Sequence, residues 1–314
     1  MTYYNCTVNL IMSRLAHVAL IAVLSLVFVL SAEPGRGRVA IADARLPPED
    51  QPSPTASPYP TVPVVPPTPT PVRVPISARV PILMYHYIST PPPGADRYRI
   101  DLSVTPQDFE RQLQHLASNG YTTISLYELY AHLTLGRSLP PRPVVLTFDD
   151  GYRDHYEHAF PLLKKYGMRG TFFITTDFIN FGNPNHLTWE MVKEMSAAGM
   201  DIESHARTHR DLRNRDFQFL VWEILGPIEQ ITAHTGKRPR FFCYPSGRYD
   251  QAVIRMLRSV QTWGAVTTEH GATHTLANAM TWRRLRVHGR ATLEQFAKML
   301  SSASGTSGAE PIGR

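Results

Sequence analysis

The chain of 314 residues is 43% hydrophobic and 18% charged, which is enough apolar content for a large folded core and argues against wholesale disorder. Lys and Arg number 32 against 26 Asp and Glu, giving a net charge of +6. Because no basic tract accompanies this excess, we expect no nucleic-acid partner and at most mild attraction to anionic surfaces.

Residues 15–32 form an apolar segment that is typical of an export signal or a membrane anchor. Its length lies at the lower edge of the roughly 17 to 25 residues that span a bilayer, and it ends in small residues that a signal peptidase could cleave. A buried core helix is the alternative. We assign residues 1–32 to a signal peptide or membrane anchor, and expect an extracellular or cell-surface protein that contacts a membrane only through this segment.

Residues 33–75 are predicted to be a disordered Pro/Thr-rich linker. Within 47–75, 12 of 29 residues are proline, a composition that prevents a helix or a central strand and favours extended polyproline II. The linker is either a stalk that holds the following domain away from a membrane or wall, or a spacer without mechanical purpose. The small and polar residues 301–314 are predicted to be a disordered tail.

Residues 76–300 are predicted to form the folded head, because short apolar runs alternate there with helical patterns. The runs suited to buried strands are 81–85, 144–148, 171–175, 200–203, 240–243, 263–267 and 285–287. The helices predicted between them include 105–118, 189–198 and 216–234, the first opening on a Thr cap followed by Pro. This alternation predicts an α/β fold, a deformed (β/α) barrel of about seven parallel strands, in which chemistry lies at the carboxyl ends of the strands.

Acids and histidines follow three of the predicted strands. His86 follows the first, Asp149 and Asp150 follow the second, and His205 and His209 follow the fourth. The i, i+4 spacing of the last pair places two imidazoles on one side of a helical turn, and either aspartate could add an oxygen ligand for a catalytic divalent ion. The other aspartate would then be free to act as a general base. The alternative is that Asp-Asp-Gly is only a turn.

Two further histidine pairs are expected not to bind metal. His270 and His274 repeat the spacing in a Gly-containing loop with no acid pair nearby. His155 and His158 lie on the helix after the acid pair, where we expect a solvated face.

Three motifs in this order, TFDDGY (147–152), SHARTH (204–209) and FCYPSG (242–247), resemble the polysaccharide deacetylases of carbohydrate esterase family 4, the NodB homology domain. The opening VPILMYHYIS (80–89) is similar to the branch of poly-β-1,6-N-acetylglucosamine N-deacetylases, exported enzymes whose domain looks circularly permuted. The resemblance covers residues 80–300. It implies a hydrolase that acts on the amide (carbon–nitrogen) bonds of N-acetylglucosamine-containing polysaccharide (poly-N-acetylglucosamine, peptidoglycan or a chitin-like polymer), and not on peptide bonds.

The resemblance also implies roles for individual residues. Asp149 corresponds to the catalytic base. The metal triad corresponds to Asp150, His205 and His209, with Zn²⁺ as the usual ion and Co²⁺, Ni²⁺ or Mn²⁺ as alternatives. The N–H that stabilises the oxyanion belongs in the family to an aromatic residue, which Ser246 replaces here, and we add Tyr244 to this substrate region.

Two roles are assigned less directly. The general acid of the permuted branch corresponds to His86, with His288 as the rival and a structural role as the alternative for His86. Cys243 stands where the family has an arginine that orients the base, and we expect Arg284 on the last strand to replace it. Ala206 replaces a hydroxyl residue of the second motif, which removes no ligand.

Two alternative functions remain open at this level. An O-acetyl (xylan) esterase would use the same site on an easier ester bond. An inactive stalked glycan-binding protein would keep the barrel without turnover. In each case the partner is an acetylated polysaccharide, and we expect a monomer.

Overall fold

The computed structural model describes residues 76–303, which lie within one compact unit, Thr70–Arg314. The predicted N-terminal segment, the linker and most of the predicted tail (304–314) lie outside the described residues. Within the described part of the chain, no helix has the length and apolar character needed to cross a membrane.

Ten strands occur in the described residues. They are β1 (Ser77–Arg79), β2 (Ile82–Tyr85), β3 (Thr122–Thr123), β4 (Pro143–Phe148), β5 (Thr171–Ile174), β6 (Asp201–Ser204), β7 (Phe241–Cys243), β8 (Gly264–His270), β9 (Thr273–Thr275) and β10 (Trp282–Arg286). Seven of them run parallel in the order β2, β10, β8, β7, β6, β5, β4, and the pairing of β4 with β2 closes the ring. The predicted (β/α) barrel of seven parallel strands is therefore confirmed.

Helices cover the outside of the barrel. They are α1 (Arg97–Asp101), α2 (Pro106–Ser118), α3 (Leu126–Leu135), α4 (Phe160–Lys165), α5 (Thr176–Asn180), α6 (Trp189–Ala197), α7 (Phe217–Leu220), α8 (Gly226–Thr235), α9 (Gln251–Ser259) and α10 (Leu293–Ala303). As predicted, α2 begins after a Thr105 cap, whose hydroxyl accepts the Asp108 N–H. Helix α10 ends at Ala303, three residues past the predicted end of the head at 300.

Two π turns interrupt the helical segments, and each precedes a proline. The turn His155–Ala159 comes before Pro161, and the turn Val221–Leu225 comes before Pro227. Proline has no N–H for the regular i−4 hydrogen bond, and its ring crowds the carbonyl of that residue, which a locally wider turn relieves. The predicted helix 216–234 is consequently divided into α7, a π turn and α8.

Alternate residues of the barrel strands belong to different apolar clusters. Val145 of β4 and Phe173 of β5 pack in one cluster with Trp282 of β10, whereas Leu146 and Phe172, their neighbours in sequence, pack in another cluster with residues of α2, α4 and α6. Successive side chains of a strand point to opposite faces. The residue at position 149 therefore continues the barrel-facing row of β4.

Strand register brings the functional residues to one edge of the barrel. Tyr85 of β2 pairs with Phe148 of β4, and the N–H of Asp149 donates to the Tyr85 carbonyl at 3.0 Å. Ile174 of β5 pairs with Ser204 of β6. The residues that follow these strands consequently meet at the carboxyl edge, where α/β barrels carry their sites.

Candidate active site

Asp149 is held inside the barrel by a buried arginine. The guanidinium of Arg284 donates from Nη1 to Oδ1 and from Nη2 to Oδ2, both at 2.7 Å, and neither side chain is more than 3% exposed. The remaining guanidinium donors go to the Thr147 hydroxyl at 3.0 Å, the Thr267 carbonyl at 2.9 Å and the Cys243 sulfur at 3.2 Å. Such a bidentate pair fixes both the position and the rotation of the carboxylate.

The same arginine determines the charge of the acid. Burial raises the pKa of Asp149, but the charge and hydrogen bonds of Arg284 outweigh this effect, and the pKa is lowered to about 2. Asp149 is therefore ionised at neutral pH. Arg284 was predicted to replace the arginine absent at position 243. It contacts Asp149, the acid that it was expected to orient.

Cys243 completes the contacts of this pair. Its thiol donates to Oδ2 of Asp149 at 3.4 Å and lies 3.2 Å from Nη2 of Arg284. Burial raises the pKa of the Cys243 thiol, so the neutral form is favoured. A neutral sulfur can occupy this position because the positive charge comes from Arg284 on β10, which is separated from β7 by β8.

Asp150 points to different partners from those of Asp149. Its φ of 76° is left-handed, as is that of Gly151, so the backbone turns sharply at the end of β4. Oδ1 of Asp150 lies 3.2 Å from Nε2 of His205 and 3.3 Å from Nε2 of His209. The ligand atoms of these three residues all lie within 4.8 Å of one another.

This arrangement fits a divalent cation. Oδ1 of Asp150 is buried and has no hydrogen-bond partner among the described residues, an unfavourable state unless a cation satisfies it. Nδ1 of His205 donates to the Cys243 carbonyl at 2.7 Å, which leaves Nε2 as the free lone pair. Burial lowers the pKa of His209, which favours the neutral imidazole that a metal requires. Although burial acts in the same direction on His205, Cys243 and Asp150 raise the pKa of that imidazole, so a cation would bind there by replacing a proton.

A second set of donors lies close by but is less suitable. Asp149, His205 and Cys243 also bring ligand atoms within 4.8 Å of one another. Both oxygens of Asp149 are engaged by Arg284, and the Cys243 thiol is held in its protonated form. The set built on Asp150 is therefore the better candidate for metal.

His86 lies beside the acid pair. Its Nε2 is 3.9 Å from Oδ2 of Asp149, and its side chain is 13% exposed. Burial lowers the pKa of His86 while the carboxylates of Asp149 and Asp150 raise it, and the net pKa lies below the usual value. The rival, His288, lies away from this cluster: it is 55% exposed and pairs with Asp101 at 2.9 Å.

The two residues predicted to lie near the substrate after β7, Ser246 and Tyr244, differ in their exposure. Ser246 is exposed on a short 3₁₀ turn and has a left-handed φ of 55°. Tyr244 is fully buried, donates its hydroxyl to the Met280 carbonyl at 2.9 Å and stacks on Tyr249. The structure therefore assigns the Tyr244 side chain to the core between β7 and the helices, because it is the next outward-facing position after Phe242.

The other histidine pairs differ partly from expectation. His155 is fully buried, and its Nε2 hydrogen bonds to the His86 carbonyl, so the predicted solvated face is wrong at this position. The π turn before Pro161 rotates it inward against the aromatic core. His270 is exposed at the end of β8, and His274 is buried on β9 with its Nε2 donating to the Val80 carbonyl at 2.9 Å.

One buried acid near the site was not predicted from the sequence. Glu223, on the second π turn, accepts hydrogen bonds from the backbone of Arg207 and Thr208, between the two histidines of the cluster. Its sequence signal is weak, since a single Glu in an amphipathic helix usually faces solvent. The only indication is its place inside the apolar run 219–225.

The chain is similar to known polysaccharide deacetylases. The model of the family described as polysaccharide deacetylase matches residues 136–265. YxkH of Bacillus subtilis (strain 168), provisionally named a polysaccharide deacetylase, is 34% identical over 206 residues, which make up 66% of this chain and 70% of YxkH.

Two further matches are similar in sequence or in fold. The poly-β-1,6-N-acetyl-D-glucosamine N-deacetylase of Staphylococcus epidermidis is 38% identical over 168 residues, covering 50% of this chain and 58% of that enzyme. The structure of the Streptococcus pyogenes deacetylase PplD in complex with acetate superposes with a TM-score of 0.66 at 29% identity, covering 72% of this chain and 99% of PplD.

Proposed function

Because the chain belongs to the polysaccharide deacetylase family, we propose that it is a metal-dependent hydrolase that removes N-acetyl groups from N-acetylglucosamine-containing polysaccharide. The predicted family and enzyme class, a polysaccharide deacetylase acting on amide bonds other than peptide bonds, are confirmed by the relatives described above. One observation carries the proposal further: the buried Asp149–Arg284 pair lies beside a second acid grouped with two imidazoles.

Asp150, His205 and His209 are the residues that would hold the metal. Two nitrogens and one oxygen suit Zn²⁺ best, and leave open positions on the ion. A bound divalent ion would polarise the acetyl carbonyl and make water a stronger acid. Nδ1 of His205, bonded to the Cys243 carbonyl, fixes the ring so that Nε2 faces Asp150.

Asp149 is proposed as the general base. Arg284 keeps it ionised and prevents its rotation, so an oxygen lone pair is ready for the proton of an attacking water. An acid with a pKa of about 2 is a weak base by itself, and its efficiency depends on the acidification of water by the metal. This accounts for the adjacency of the two aspartates.

His86 is proposed as the proton donor to the leaving amine. Its Nε2 lies 3.9 Å from Oδ2 of Asp149, so the two groups border the same space. Among side chains an imidazole titrates nearest to neutral pH, and the carboxylates of Asp149 and Asp150 oppose the lowering of the His86 pKa by burial. The exposed backbone at Ser246 is proposed to stabilise the oxyanion through its N–H.

Poly-N-acetylglucosamine is the leading candidate substrate, on the basis of the Staphylococcus epidermidis relative, with peptidoglycan or a chitin-like polymer as alternatives. The apolar segment 15–32 supports export to the cell surface or beyond it. A monomeric state stays a prediction.

Acetate release from a panel of glycans, measured with and without a chelator, tests the activity. We expect release from poly-N-acetylglucosamine or chitooligosaccharides, and its loss with the chelator. Preferential release from acetylxylan would favour the O-acetyl esterase. No release from any glycan with added Zn²⁺ would favour the glycan-binding alternative.

Metal analysis of three variants tests the assignment of residues. His205→Ala and Asp150→Ala are expected to lose bound metal and activity together, whereas Asp149→Asn keeps the metal and loses turnover. Full activity in Asp149→Asn would overturn the general base. Metal retained at full stoichiometry in both other variants would overturn the ligand set.

A further inference from the structure

The segment between the two histidines has a backbone conformation that needs support. Ala206 and His209 have φ values of 63° and 60°, in the left-handed region that disfavours residues with a Cβ. The segment nevertheless brings Nε2 of His205 and of His209 to within 3.3 Å of the same oxygen of Asp150. Something outside the segment must therefore stabilise it.

Glu223 supplies that support through its carboxylate. Oε2 accepts the N–H of Arg207 at 3.0 Å and the N–H of Thr208 at 2.9 Å, and Oε1 accepts the Thr208 hydroxyl. Glu223 is only 1% exposed and forms no ion pair with any described residue. Its charge is thus satisfied entirely by the segment that carries the two histidines.

Local structure explains how Glu223 reaches this segment. It lies on the π turn Val221–Leu225, where the N–H of Gly226 donates to the Val221 carbonyl five residues back. A Cβ on Gly226 would lie 3.2 Å from Nη1 of Arg207, so the helix approaches the segment closely at this glycine.

Arg207 is held from the other side as well. Its Nε lies 2.9 Å from Oδ1 of Asp177, its carbonyl accepts the Asp177 N–H at 3.0 Å, and its guanidinium stacks 3.7 Å from the ring of Trp222. These contacts fix the side chain and one end of the segment. Among the residues that the structure describes, only Glu223 accepts hydrogen bonds from the N–H groups of Arg207 and Thr208, in the middle of the segment.

From these contacts we infer that Glu223 is a positioning residue that sets the spacing of His205 and His209, and thereby the affinity and geometry of the metal centre. The inference rests on the proposed function, because it concerns the same metal site. Outer partners of metal ligands typically change metal affinity by about 10- to 100-fold. Glu223 does not hydrogen bond to either imidazole; it acts through the backbone that joins His205 and His209.

The chain offers a matched control in Glu203. This residue is also 1% exposed, its Oε2 accepts two consecutive backbone N–H groups, those of Arg240 and Phe241, at 2.9 and 2.8 Å, and its Oε1 accepts the Tyr127 hydroxyl at 2.7 Å. Glu203 lies on β6, two residues before His205, but its side chain supports the start of β7 and forms no hydrogen bond to a described residue between the two histidines. Burial raises the pKa of Glu203 to about 8, so the match with Glu223 is in the hydrogen bonds that each carboxyl group accepts. A change to Gln disturbs the same number and kind of hydrogen bonds in the two variants.

The experiment uses the full chain carrying Glu223→Gln, Glu203→Gln or neither. The dissociation constant for Zn²⁺ is measured by competition with a chromophoric chelator, and the visible absorption spectrum of the Co²⁺-loaded protein reports ligand geometry. Glu223→Gln should weaken Zn²⁺ binding about 10- to 100-fold and alter the Co²⁺ spectrum. Glu203→Gln should lower the melting temperature with both metal readouts unchanged.

A second variant, Thr208→Val, removes only the hydroxyl donor and covers the case in which Glu223→Gln fails to fold. It should weaken Zn²⁺ binding several-fold, and Thr208→Ser should restore it. Wild-type affinity and spectrum in Glu223→Gln or in Thr208→Val would overturn the inference, as would an equal loss of affinity in Glu203→Gln. A wild-type protein that binds no metal would instead overturn the proposed metal centre itself.

Discussion

The guanidinium of Arg284 binds both carboxylate oxygens of Asp149 at 2.7 Å, although 135 positions separate the two residues in sequence. Removal of one partner from a buried ion pair leaves an uncompensated charge, at a cost of about 3 to 5 kcal/mol. The positive charge that contacts Asp149 lies on β10 and not on β7, the strand that carries Cys243, and the two contacts fix the carboxylate in position and rotation.

Arg284→Met is expected to lower the free energy of unfolding by about 3 to 5 kcal/mol and to reduce kcat/KM by at least about 100-fold. Because Arg284 lowers the pKa of Asp149, its removal raises that pKa, and the acidic limb of the pH–rate profile moves to higher pH. Urea denaturation and acetate release as a function of pH provide the measurements. Arg283→Met is the control, since Arg283 is exposed and pairs with Glu269. Equal losses in the two variants would contradict the assignment.

His86→Asn is expected to reduce kcat by about 100- to 10,000-fold, the range for loss of a general acid or base. His288→Asn should stay close to wild type, because an exposed ion pair with Asp101 contributes little. Steady-state acetate release from one glycan separates the two. A large loss in the His288 variant with none in the His86 variant would reverse the choice of proton donor.

His274 lies outside the candidate site, and we expect it to make the stability of the fold depend on pH. Burial lowers the pKa of His274 to about 4. The unfolded chain, with its ordinary value of about 6.5, takes up a proton first as the pH falls. The contribution of His274 to the free energy of unfolding is therefore complete above about pH 6.5 and is lost as the pH falls towards 4.

Urea titrations at pH 7.5 and pH 4.5 test this point. The stability lost between the two pH values should be smaller in His274→Gln than in wild type by about 2 to 3 kcal/mol. His270→Gln, on the exposed end of β8, serves as the control and should keep the wild-type difference. An unchanged difference in His274→Gln would show that this imidazole does not resist protonation.

Gly247 is expected to be indispensable to the turn that presents Ser246. Its φ is 70°, and a Cβ there would lie 2.2 Å from Oγ1 and 2.9 Å from the backbone N of Thr268. Gly236 ends α8 with the same φ of 70°, but a Cβ at that position would have no described atom within 4 Å outside its own helix. A comparison of alanine variants at the two glycines therefore separates the cost of backbone strain from the cost of steric overlap.

Gly236→Ala should therefore cost about 1 to 2 kcal/mol of stability, and Gly247→Ala about 2 to 5 kcal/mol, because overpacking adds to the same strain. Only the second change should also lower kcat/KM, since it displaces the turn that follows Cys243, whose thiol contacts Asp149. Denaturant unfolding and acetate release are the measurements. Equal costs would remove the argument for a close approach between the turn and β8.

The sequence predicted the barrel because its buried strands are short apolar runs between helical patterns. The last strand was predicted at 285–287 but begins at Trp282, since Arg283 and Arg284 read as polar. Arg284 was predicted from the missing arginine at position 243 and not from the pattern of its own strand, because a charged residue rarely lies fully buried unless it is paired. The two- and three-residue strands β1, β3 and β9 carry too little pattern to be predicted.

Within the site, residues 205–209 likewise show which features the sequence could predict and which it could not. The motif SHARTH identified the two imidazoles and the motif TFDDGY identified the acid, because each motif is local in sequence. The π turn at Val221–Leu225 and the contacts of Glu223 depend on how a proline-containing helix meets a distant loop. Such contacts arise from tertiary packing, which periodicity along one element does not encode.

The last barrel strand to leave the ribosome is β10, and it carries the only cation that contacts Asp149 through both oxygens in the described part of the chain. A polypeptide that stops before residue 284 would carry the proposed metal ligands Asp150, His205 and His209, but not the arginine that holds Asp149. Truncation there would therefore separate the proposed metal ligands from a correctly held Asp149.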